Sequence, residues 1–89
     1  GAIEALISVS VEPKDRDAFL AMAQRQPRVA QCFHVTGSHS FLVKVNCEGI
    51  AALEKLITTF QQLGHTSSQI ILSTPVDRHT PPEYEEELP

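Results

Sequence analysis

Nineteen residues in the middle of the chain, VAQCFHVTGSHSFLVKVNC from Val29 to Cys47, restrict the fold more than any other stretch. They contain two runs of strand-forming residues, 29–36 and 41–47, separated by Gly37-Ser38-His39-Ser40. Gly37 can take a positive φ without a Cβ penalty, so the tetrad reads as the turn of a β-hairpin. A four-residue turn pairs Cys32 with Val45 and Ala30 with Cys47. On that register Ala30, Cys32, His34 and Thr36 share a face with Phe41, Val43, Val45 and Cys47. The opposite face carries Gln31, Phe33, Val35, Leu42, Lys44 and Asn46. The first face suits a core under helices, and the second is too apolar to be wholly wetted.

The flanking sequence supplies the helices. Ile3, Ala5, Ile7, Val9 and Val11 alternate with Glu4, Ser8, Ser10 and Glu12, which is the signature of a strand. Pro13 fits a first helical turn, where its missing N–H would be unpaired anyway. Phe19, Met22 and Ala23 then recur at helical spacing over 14–25, and Pro27 ends the run. After Cys47, a second and stronger stripe is formed by Ile50, Leu53, Leu56, Ile57, Phe60 and Leu63, with Gly64 placed to cap it. A last strand is expected over about 66–74, apolar at Ile70-Ile71-Leu72 and stopped by Pro75. The order strand, helix, strand, strand, helix, strand predicts an α+β, ferredoxin-like βαββαβ sandwich with both helices on one sheet face. Its uncovered face, with Phe33, Val35 and Leu42, predicts a homodimer, a dimeric α+β barrel made by sheet-to-sheet packing.

Length and charge narrow the function. Eighty-nine residues support one core. The domain is expected over 1–76, followed by a Pro/Glu-rich tail over 77–89. The net charge of −4 argues against bulk attraction of nucleic acid. There is no apolar run of the roughly 20 residues a membrane span requires, and no signal-peptide pattern. Gly1 in place of Met reads as processing, an added tag or excision from a longer chain, of which excision is preferred. Cys32 and Cys47 read as small core residues in a reducing cytoplasm rather than as a disulfide. The four histidines, His34, His39, His65 and His79, lack the His-x-x-x-His spacing of a helical metal site, so no metal and no cofactor is expected. Glu83, Glu85, Glu86 and Glu87 read as a solvated acidic cluster.

The same central stretch resembles the effector-binding domain of the leucine-responsive regulator (Lrp/AsnC) family, also called the RAM domain. Val29, Cys32, Val35, Thr36, Gly37, Leu42 and Val45 carry the resemblance, and HTSSQIILSTPV from His65 to Val76 extends it. The resemblance covers about 3–76. It implies a domain that dimerises through its sheets and assembles further, as an octamer or decamer. It also implies a small effector, commonly an amino acid, bound between dimers. DNA binding would belong to a helix-turn-helix domain that this chain does not contain. Ligand contacts are then expected from Val35, Thr36, Gly37, Ser38, His39 and Ser40 in the turn, and from Thr66, Ser67 and Ser68. One departure stands out: the family's Gly-Asp-x-Asp turn is here Gly37-Ser38-His39-Ser40. Turn amides and hydroxyls could hold a carboxylate, but the turn offers an ammonium no acid.

Two other functions fit the same pattern. One is a structural dimerisation module that binds no ligand. The other is a small dimeric barrel enzyme of the monooxygenase type, for which His34 is the only interior candidate and has no second group to orient it. No catalytic residue is therefore assigned.

Overall fold

A computed structural model of the chain describes residues 2–78. The elements are β1 (Ile3–Val11), α1 (Arg16–Gln24), β2 (Val29–His34), β3 (Phe41–Cys47), α2 (Ile50–Phe60) and β4 (Gly64–Ile70). The strands form one antiparallel sheet in the order β2-β3-β1-β4. This is the expected ferredoxin-like βαββαβ arrangement. The expected tail over 77–89, including His79 and the glutamate cluster, falls outside the described residues from 79 onward.

Alternation along the two central strands creates the core. Ala5, Ile7, Val9 and Val11 of β1 and Phe41, Val43, Val45 and Cys47 of β3 are all buried. They meet Phe19, Met22 and Ala23 of α1 and Leu53, Leu56 and Phe60 of α2. Phe19 links the layers, with its ring centroid 5.1 Å from that of Phe41 and 5.4 Å from that of Phe60. Aromatic side chains bring large apolar area and a preferred offset or tilted geometry, so this trio anchors both helices to one point on the sheet. No buried polar or charged residue interrupts the core among the described residues.

Four local expectations need correction. The hairpin register is two residues away from the four-residue turn: Cys32 faces Val43, and His34 faces Phe41. A slip of two preserves which side chains share a face, so the faces stand while the loop lengthens to 35–40. A bulge between Val29 and Gln31 then puts Val29 opposite Val45, so Val29 packs on the core in place of the exposed Ala30. Helix 14–25 is a short 3₁₀ turn, Pro13–Asp15, followed by α1. Gly64 is not a left-handed cap: Gln61 caps α2 and Gly64 opens β4 opposite Val11. A Cβ on Gly64 would collide with the Ser10 carbonyl oxygen, so close backbone approach is what requires glycine there. Finally, β4 runs from Gly64 to Ile70 rather than over 66–74, although Ile71 N–H still donates to the Glu4 carbonyl at 2.9 Å.

The uncovered face is less apolar than expected along its last strand. β4 presents His65, Ser67 and Gln69 there, paired with Ser10, Ser8 and Leu6. Its Ile70 lies opposite Ala5, on the helix side. The apolar side chains form a strip across the other three strands: Phe33 (42% exposed) faces Leu42, with Leu6 and Val35 half-buried beside them. Lys44 crosses the strip to Glu4 at 3.8 Å.

Candidate functional site

The loop joining β2 to β3 is held against the end of β1. Val35 N–H donates to the Ser40 carbonyl at 2.9 Å, which closes the loop. Gly37, at φ 104°, is the one described residue with a positive φ and lets the chain reverse. Ser40 Oγ donates to the Val11 carbonyl at 3.0 Å and sits 3.4 Å from Val11 N–H. Ser10 Oγ donates to the Ser38 carbonyl at 3.0 Å. Ser38 Oγ and His39 Nδ1 are 3.2 Å apart.

The other expected segment meets β1 from its far side. Thr66 pairs with Val9, Ser67 with Ser8 and Ser68 with Ile7. The end of β1 thus lies between the loop and the start of β4. Strand alternation divides the three hydroxyls: Ser67 is on the uncovered face with Ser8 and Ser10, whereas Thr66 and Ser68 are on the helix side. Thr66 Oγ1 accepts a hydrogen bond from Gln61 Nε2 at 3.1 Å. Ser67 and Ser68 are exposed. Thr36, Gly37 and Ser38 are exposed as well, while Val35, His39 and Ser40 are half-buried.

Sequence reasoning passed over Ser10, which ties the loop to the strand. Its polar position in the alternation of β1 is shared with Ser8, so only the strand order singles it out. The acidic residue next along the chain from this junction is Glu12, whose carboxylate lies 3.9 Å from Lys14 Nζ. His34 ends β2 with its ring stacked on Phe41 at 5.1 Å between centroids. Among the described residues, no group of three or more His, Cys, Asp or Glu side chains is placed to hold a metal ion. Both cysteines are free thiols, and burial pushes each pKa up. With Cys32 opposite Val43, Cys47 lies four residues farther along β3, roughly 13 Å away at strand spacing and beyond disulfide reach.

Two hollows lie on the helix side, away from the loop. One of about 340 Å³ runs between α1 and the edge strand β2, with Leu20, Ala23, Val29 and Cys32 in its lining. The second, of about 260 Å³, is lined by Gln26, Arg28, Ala52, Lys55, Leu56 and Thr59. Beside it Arg28 forms a two-pronged ion pair with Glu48, both contacts 2.7 Å. Arg28 holds the Glu48 carboxyl well below its ordinary range, down to about 2. Neither hollow is lined by residues 35–40 or 66–68. No described helix is long and apolar enough to cross a membrane.

Comparison with known proteins agrees with the fold. The Lrp/AsnC ligand binding domain matches residues 4–81. YezC, an HTH-type transcriptional regulator of Bacillus subtilis, is 32% identical over 66 residues, which cover 74% of this chain and 48% of YezC. The regulatory protein AsnC of Escherichia coli is 30% identical over 73 residues, covering 78% of this chain and 48% of AsnC. The solved AsnC structure superposes with a TM-score of 0.77 at 25% identity, over 88% of this chain and 56% of that one. The feast or famine regulatory protein of M. tuberculosis complexed with L-methionine gives 0.75 at 25% identity, over 88% and 55%. The chain spans about half the length of the curated relatives it matches. With the match covering most of the chain and the strand order and helix layer in agreement, the chain belongs to the Lrp/AsnC ligand binding domain family.

Proposed function

We propose that this domain senses a small effector and assembles regulators, with the loop 35–40 and the start of β4 forming its ligand contacts. The family match over residues 4–81 carries this reading. The junction at the end of β1 supports it, because it brings Ser10, Ser38, His39, Ser40 and Ser67 to one end of the sheet. In the single chain that end is an open surface, which suits a site completed by a neighbouring subunit. The strip of Leu6, Phe33, Val35 and Leu42 supports a homodimer formed sheet to sheet, with rings of eight or ten chains built from such dimers. DNA contact belongs to a helix-turn-helix segment of a longer regulator. The two free thiols suit a reducing, cytoplasmic setting.

An amino acid is the effector class we favour, since the M. tuberculosis relative was solved with L-methionine. The loop can supply amides and hydroxyls to a carboxylate. Glu12 is the nearest acid along the chain to receive the ammonium. Thermal unfolding measured against the twenty amino acids tests the proposal. A true effector raises the midpoint with the logarithm of its concentration, and Ser38→Ala together with Ser40→Ala reduces that rise. A flat response across the panel overturns the ligand-sensing part. A monomer in sedimentation at micromolar concentration overturns the assembly part.

A further inference from the structure

The 260 Å³ hollow on the helix side differs in chemistry from the loop junction. Its floor is apolar: Leu56 is buried, and the small Ala52 leaves the depression beside it. Its walls are polar, with Gln26 and Arg28 on the segment entering β2 and Lys55 and Thr59 on successive turns of α2. The entering segment is fixed by its backbone, since Val29 N–H donates to the Gln26 carbonyl at 3.0 Å and Asn46 N–H to the Arg28 carbonyl at 2.8 Å. Arg28 is fixed again at its tip. Its Nε and Nη2 each donate to Glu48, which leaves the two Nη1 N–H groups and one on Nη2 for another acceptor. Thr59 Oγ1 already donates to the Lys55 carbonyl at 3.0 Å. Lys55 has no ion pair among the described residues.

Donors therefore outnumber acceptors around this hollow, and its charge can be counted. Glu48 neutralises Arg28, and Lys55 remains as one unmatched positive charge. One anionic group balances it; a phosphate dianion would leave charge over. The geometry points to this hollow as a binding site for a small aliphatic monocarboxylate, its carboxylate on Lys55 and Arg28 and its hydrocarbon on Ala52 and Leu56. Planar donors of a pre-oriented guanidinium suit a carboxylate, and a flexible ammonium completes the charge. The site shares no lining residue with the loop junction, so it stands independently of the function proposed above.

Isovalerate titrated into the ¹⁵N-labelled chain, followed by amide shifts, tests the assignment. Saturable shifts are expected at Gln26, Arg28, Ala52, Lys55 and Thr59. Lys55→Gln weakens binding about tenfold or more, because a hydrogen bond to a charged group is lost. Lys55→Arg retains it, and Ser38→Ala leaves it unchanged. Lys55 is exposed, so neither variant disturbs the core, and unchanged shifts elsewhere verify that. Isobutylamine, with the same hydrocarbon and the opposite charge, produces no shifts at these positions. The assignment is overturned by shifts confined to 35–40 and 64–68, by sulfate, a dianion at any working pH, displacing isovalerate at equal concentration, by an unaffected Lys55→Gln, or by no saturable shift at all.

Discussion

Gly37 and Gly64 lie at the same end of the sheet and are glycine for unrelated reasons. Gly37 has open space where a Cβ would go, but its φ of 104° disfavours any L side chain. Gly37→Ala is expected to lower stability by about 1–2 kcal/mol through backbone strain alone, as read by urea unfolding. Gly64 has ordinary dihedrals and no room, because the Ser10 carbonyl occupies the place of its Cβ. Gly64→Ala must therefore shift β4 against β1, with a cost of about 1–3 kcal/mol typical of overpacking and altered amide shifts along both strands. Sequence alone exposed the first glycine, since it sits between two strand-like runs. It misjudged the second, since a glycine after a helical stripe looks like a cap until the neighbouring strand is in place. Glu48 offers a pH test with a definite sign. Its carboxyl falls from 4.5 to about 2 because Arg28 bonds the ionised form. The stabilisation is present above the higher value and disappears as pH falls through the lower one. The stability gap between the native chain and Glu48→Gln should narrow across that window in denaturation measured at successive pH values.

At the scale of elements, hydrophobic period was informative and register was not. Alternation placed Phe41, Val43, Val45 and Cys47 under the helices, and all four are buried there. The same alternation is blind to a slip of two residues, which moves pairings without turning any side chain over. It is equally blind to the bulge that replaces Ala30 by Val29, because both residues are apolar. The α2 stripe succeeded at Leu53, Leu56 and Phe60 and overreached at Ile50, which begins the helix and is 57% exposed. These differences predict unequal penalties. Phe60→Ala removes one member of the aromatic trio and should cost about 3–5 kcal/mol. Ile50→Ala should change stability far less, and the pair can be compared by thermal unfolding. Of the candidate site, the loop and the three hydroxyls were visible in sequence. That β1 passes between them, with Ser10 as the tether, depends on strand order and could not be read from spacing.

For the whole molecule, the exposed face decides between a lone domain and an assembly. Phe33 is the most exposed member of its apolar strip, and its loss leaves the core untouched. Phe33→Asp is expected to preserve the circular dichroism spectrum while halving the sedimenting mass or more. An unchanged mass would move the contact surface elsewhere. The end of β1, bonded to the loop on one flank and to β4 on the other, has a mechanical consequence. Only two or three peptide units of β1 separate that hairpin tip from the first rungs of the far edge. The hairpin tip and the opposite rim are thus joined by a short run of backbone at the end of β1, and the Thr66–Gln61 bond carries that run on to the close of α2.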